Sequence, residues 1–123
     1  MFKKIIFILF ALVLFSVSTA GADEEQQLPV KDTVTLIELG ADNCLPCRLL
    51  TPIIEELQQE YQGRAAIVRI DVYRQRELAR QFHPMVTPTM IFFDRQGQET
   101  KRFSGFMDKE SIVKELDRLL ADK

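Results

Sequence analysis

Residues 33–61 read TVTLIELGADNCLPCRLLTPIIEELQQEY, and the change of pattern inside this stretch decides the fold. Residues 33–39 (TVTLIEL) are short, β-branched and almost continuously apolar, as a strand covered on both faces would be, and Glu38 alone interrupts them. Gly40, Ala41, Asp42 and Asn43 are turn material. From Cys44 to about Tyr61 the apolar residues fall at Leu49, Leu50, Ile53, Ile54 and Leu57, which is helical spacing with one buried face. Pro52 inside that helix lacks a donor and crowds the preceding turn, so a kink is expected there. Two cysteines, Cys44 and Cys47, therefore sit at a strand-to-helix junction.

Toward the C-terminus, Gly63 ends this unit and residues 65–71 (AAIVRID) read as a second buried strand. Residues 74–82 predict a short polar helix with Leu78 and Phe82 on one side. Residues 89–94 (TMIFFD) predict a third strand, and residues 95–98 a hairpin turn. Residues 99–103 read as an edge strand whose charges guard against edge-to-edge pairing. Asp108 is a plausible N-cap for a last amphipathic helix bearing Ile112, Val113, Leu116, Leu119 and Leu120. The order is β-α-β-α-β-β-α, an α/β domain over residues 33–123. Strands joined through a helix are expected to run parallel, and the final pair to form an antiparallel hairpin.

Toward the N-terminus, two lysines (Lys3, Lys4) precede the apolar run IIFILFALVLF over residues 5–15, and Ala20-Gly21-Ala22 supplies an A-x-A site. That combination predicts a cleaved secretory signal peptide over residues 1–22, and hence a periplasmic or secreted protein. An uncleaved anchor would need roughly 20 apolar residues, and this run is shorter. Residues 23–32 (DEEQQLPVKD) read as a flexible lead-in. The whole chain, 123 residues with 46% apolar content, suits one small domain. Loss of Lys3 and Lys4 takes the formal charge from −2 to −4, which gives no footing for nucleic acid or, after cleavage, for an anionic membrane.

The chemistry centres on Cys44-Leu45-Pro46-Cys47. Unpaired backbone donors at a helix start favour a thiolate on the first cysteine. A fall in its pKa from about 8.5 to about 7 raises the thiolate fraction at neutral pH on the order of fifteenfold. Lower intrinsic nucleophilicity cancels roughly fivefold of that, so the net gain in attack is about threefold, and the same sulfur also becomes a better leaving group. Three other uses of the pair stand beside redox exchange. A structural disulfide closing so short a loop would contribute at most about 2 kcal/mol. Structural zinc wants four ligands, and the chain offers two thiols and His83. Copper(I) could be held by the two thiolates with Met85 or Met107, making a metallochaperone. Haem attachment is excluded because Arg48, not histidine, follows Cys47.

A second feature is Val86-Thr87-Pro88-Thr89, immediately before a strand, where proline is tolerated. An ordinary trans proline is the commoner case, whereas a cis bond would make a tight, fixed turn. With the C-x-P-C motif at 44–47, the prolines at 52 and 88 match the spacing of the thioredoxin family without a gap, and from Val34 onward the chain resembles that family. The resemblance implies a thioredoxin-like three-layer fold with a mixed four-stranded sheet ordered 65–71, 33–39, 89–94, 99–103. It also implies a Cys44–Cys47 disulfide, with Cys44 as exposed nucleophile and Cys47 as resolving thiol. Pro88 would be a cis-proline beside them, with Val86 and Thr87 offering backbone to an extended substrate.

Glu38 occupies the position of the family's buried acid, thought to handle the proton of the inner cysteine, and burial should raise its pKa. Arg69 sits where the family has a lysine close to that acid, and a Glu38–Arg69 ion pair could hold two strands together besides. The chain also departs from the family. It has no tryptophan, so Gly40 and Asn43 replace flanking aromatics, and Leu45 stands where thioredoxin has glycine. The family's first strand would fall inside the signal peptide.

These features together lead us to expect a monomeric thiol–disulfide oxidoreductase with no cofactor and no metal. It would exchange with protein thiols and disulfides outside the cytoplasm, in the reducing or isomerising direction, fed by an unidentified electron donor. A copper(I) carrier and an inert adaptor are the rival functions.

Overall fold

The structure is a computed structural model that describes residues 26–122. The expected signal peptide (1–22) and the start of the lead-in lie outside the described residues. Of the lead-in, Leu28 packs against the core and the Val30 N–H donates to Thr35 Oγ1 at 3.1 Å.

Seven elements follow in order: β1 (Val34–Gly40), α1 (Leu45–Glu60), β2 (Ala65–Asp71), α2 (Arg76–Arg80), β3 (Thr89–Phe93), β4 (Glu99–Ser104) and α3 (Lys109–Ala121). They form a four-stranded sheet ordered β2-β1-β3-β4, as the family resemblance implies. β1 and β2 are parallel; β3 is antiparallel to both β1 and β4. The parallel rule thus holds across α1 and fails across α2. After α2 the chain re-enters the sheet at the end where β2 stops, Thr89 pairing with Leu39, so β3 runs the other way.

α2 is also shorter than the predicted 74–82 helix. The Asp71 carboxylate accepts the N–H groups of Tyr73 and Arg74 in a turn, both at 2.9 Å, but Gln75 (φ −114°, ψ 51°) is not helical, so the helix opens only at Arg76. At the hairpin, Asp94 Oδ1 accepts from the N–H groups of Gln96 and Gln98, and Gly97 takes the positive φ of 77° that the turn requires. β4 is exposed throughout, as an edge strand. Asp108 caps α3 by accepting from the Ser111 N–H at 2.9 Å.

Alternation along the strands sends side chains into two apolar layers. Val34 and Leu36 (β1), Ile67 (β2), and Met90 and Phe92 (β3) pack against Leu50, Ile54 and Leu57 of α1 and Ile112, Leu116 and Leu119 of α3. On the opposite face Ile37, Leu39, Ile70, Ile91 and Phe93 meet Ala79 of α2 and Phe82 just beyond it. The result is three layers, helices α1 and α3 over the sheet and α2 beneath. By the same alternation Glu38, Gly40 and Arg69 face α1.

Candidate active site

α1 begins at the end of β1, and Cys44 is its N-cap residue. Cys44 Sγ accepts from the Cys47 N–H at 3.3 Å, so one orphan donor of the helix start points at the sulfur. Pro46 sits in the first turn, where the missing N–H costs nothing. Cys44 and Cys47 are joined in a disulfide with their Cα atoms 5.2 Å apart. Cys44 is half-buried; Cys47, one turn on, is wholly buried.

The second wall is the turn before β3. The Thr87–Pro88 bond is cis, as the resemblance implies. The Thr87 carbonyl oxygen lies 3.6 Å from Cys44 Sγ, which brings residues 86–88 to the cysteines across 43 positions of sequence. Two bonds hold the turn: Thr89 Oγ1 donates to the Val86 carbonyl at 2.7 Å, and the Gly105 N–H donates to the Pro88 carbonyl at 2.8 Å. Large apolar side chains stand exposed on the chain around Cys44: Leu45 at 62%, Met85 at 91% and Val86 at 51%, with Phe106 beside Gly105. Met107, a soft ligand in the copper alternative, is instead a core residue.

Beneath α1 lies Glu38, 1% exposed, with Met90 opposite it on β3 and Arg69 opposite it on β2. Arg69 Nε is 3.3 Å from Glu38 Oε2, close enough to attract the charge but not aligned to donate, so among the described residues neither carboxylate oxygen has a hydrogen-bond partner. Burial pushes the Glu38 carboxyl up to about 7; the Arg69 guanidinium opposes this and the Asp71 charge adds to it. Arg69 also approaches Asp42 Oδ1 at 3.7 Å, and Asp42 pairs with Arg74 at 2.6 Å. A line of charges thus runs from the buried acid to the surface, into an open groove walled by Asp42, Arg48, Thr51, Pro52, Glu55 and Arg69.

Of the residues expected at the site, Cys44 and Cys47 meet the turn at Val86, Thr87 and Pro88, while Glu38 and Arg69 pair with each other on the sheet face that lies under α1. Two others were given no role in the sequence reading: Asp42 was read as a turn residue, and Gly40 as a turn residue that replaces a flanking aromatic of the family.

Comparison with known proteins agrees with this geometry. The thioredoxin family model matches residues 16–118, a span that begins inside the segment read as signal peptide. The thioredoxin of Staphylococcus aureus is 34% identical over 98 residues, covering 80% of this chain and 93% of its own. Among solved structures, Malassezia sympodialis thioredoxin (Mala s 13) superposes with a TM-score of 0.66 at 24% identity, over 78% of this chain and 83% of that one, a likeness of fold. Fasciola hepatica thioredoxin gives 0.62 at 27% identity, over 72% and 83%. With its cysteine pair joined at the mouth of α1, this chain belongs to the thioredoxin family and is a thiol–disulfide oxidoreductase that acts on protein thiols and disulfides.

Proposed function

We propose that the domain works outside the cytoplasm and passes electrons from an exported or membrane-bound dithiol donor to disulfides of exported proteins, in the reducing or isomerising direction. The observation that carries the roles within the pair is its asymmetry: a half-buried Cys44 capped by a helix-start N–H, against a wholly buried Cys47. The reduced Cys44 thiolate, favoured by the helix start, attacks a substrate disulfide. A Cys44–substrate bond forms, the substrate S–S bond breaks, and one substrate thiolate leaves. Cys47 gives its proton to the Glu38 carboxylate and attacks Cys44 Sγ. The Cys44–Cys47 disulfide forms, the Cys44–substrate bond breaks, the second substrate sulfur departs as a thiolate that solvent protonates, and two electrons have moved from the domain to the substrate.

The turn at Val86, Thr87 and Pro88 would lie alongside an extended substrate segment, with the exposed Leu45, Met85 and Val86 favouring apolar residues in it. Arg69 keeps the Glu38 charge tolerable when it forms. The leader-like residues 1–22 support export. Replacing Cys47 by serine tests the scheme: the variant should accumulate mixed disulfides through Cys44 with exported proteins, dissolved by reductant. No trapped partner, or trapping that survives loss of Cys44, would contradict it.

A further inference from the structure

Gly40 is the last residue of β1 and is buried. It is not among the glycines of positive φ, so its backbone does not call for glycine. The space where a side chain would be is what matters. A Cβ at Gly40 would collide with Glu38 Oε1 and would lie 3.1 Å from Cδ and 3.2 Å from Oε2. The carboxyl group fills the volume that any other residue at 40 would claim. Residues two apart on a strand share a face, and residue 40 lies nearer than 38 to the end from which the chain passes to Cys44. Glu38 therefore leans forward along β1, toward the start of α1.

We infer that Gly40 is a positioning residue: its missing side chain keeps open the space in which the Glu38 carboxyl lies at the cysteine end of the sheet. This deepens the reading of Glu38 as proton acceptor for Cys47 and rests on it for its effect on rate. The charged groups around that carboxyl are Arg69 and Asp71 from β2, with Asp42 and, from α1, Arg48 and Glu55 in the groove beyond Arg69. β3 contributes Met90, which closes that side without a charge. A methyl group at 40 displaces the carboxyl, and a shift toward Arg69 and the groove leaves it better paired and better solvated.

Gly40→Ala tests this with two readouts, the Glu38 titration followed by carboxyl carbon NMR and the pH–rate profile of insulin disulfide reduction. The Glu38 midpoint should fall by about one pH unit, and exchange near neutral pH should slow by about threefold to tenfold. Adding Glu38→Asp, which retracts the carboxyl by one methylene, should recover most of the lost rate. An unchanged midpoint in Gly40→Ala overturns the positioning role. If Glu38→Gln leaves the pH–rate profile intact, it is the proton-acceptor reading that fails, and the midpoint in Gly40→Ala still decides the positioning. Should Gly40→Ala not fold, the double variant decides: recovered folding supports the steric coupling, and equal unfolding overturns it.

Discussion

Glu38 is easier to hold protonated than ionised, since both its oxygens are buried with no hydrogen-bond donor among the described residues. Its folded pKa of about 7 stands above the ordinary 4.5, so the native state keeps a proton that the unfolded chain has released between those values. Stability from this group is whole below about pH 4.5 and is lost as pH rises through about 7. Relative to Glu38→Gln, the wild-type protein should lose up to roughly 3 kcal/mol between about pH 4 and pH 8.5, read by urea unfolding of the disulfide form. Parallel stability–pH curves for the two proteins would contradict the burial argument. Cys44 and Cys47 were candidates from their own spacing at a strand-to-helix junction, and Glu38, Arg69 and Pro88 through the family resemblance. Gly40 was not. Its importance is steric, set by a side chain two residues back, and in GADN a glycine reads as a turn.

At the scale of elements, α1 does the positioning: Leu50, Ile54 and Leu57 anchor it to the sheet and so fix the height of its N-terminus. Ile54→Ala should cost about 2–5 kcal/mol of stability, whereas Glu55→Ala, one position round on the exposed face, should stay within about 0.5 kcal/mol. Denaturant midpoints of the two variants check this, and equal losses would mean that the helix is not held by that face. α1, β1 and α3 were readable because periodicity and capping are local. The limits of α2 were not, because the chain from Val72 to Gln75 closes a turn first and Gln75 leaves the helical region, which no periodicity announces. Nor was the direction of β3, which is set by the end of the sheet at which the 72–88 connection returns rather than by any residue in the strand.

For the molecule as a whole, family and reaction follow from the sheet order, the cysteine pair and the relatives together. Direction and compartment are proposals, and the reduction potential bears on the first. Equilibration with a glutathione buffer should give a value nearer to about −270 mV than to about −120 mV, as a reducing domain requires. A value at the oxidising end would reverse the proposed flow of electrons. Both directions rest on one inequality between two sulfurs, and alkylation of the fully reduced protein reads it most directly. Brief iodoacetamide treatment across pH 5 to 9, followed by peptide mapping, should label Cys44 first, with a reaction midpoint below the ordinary thiol value of about 8.5, and leave Cys47 unmodified. Equal labelling of the two, or Cys47 ahead of Cys44, would contradict the account.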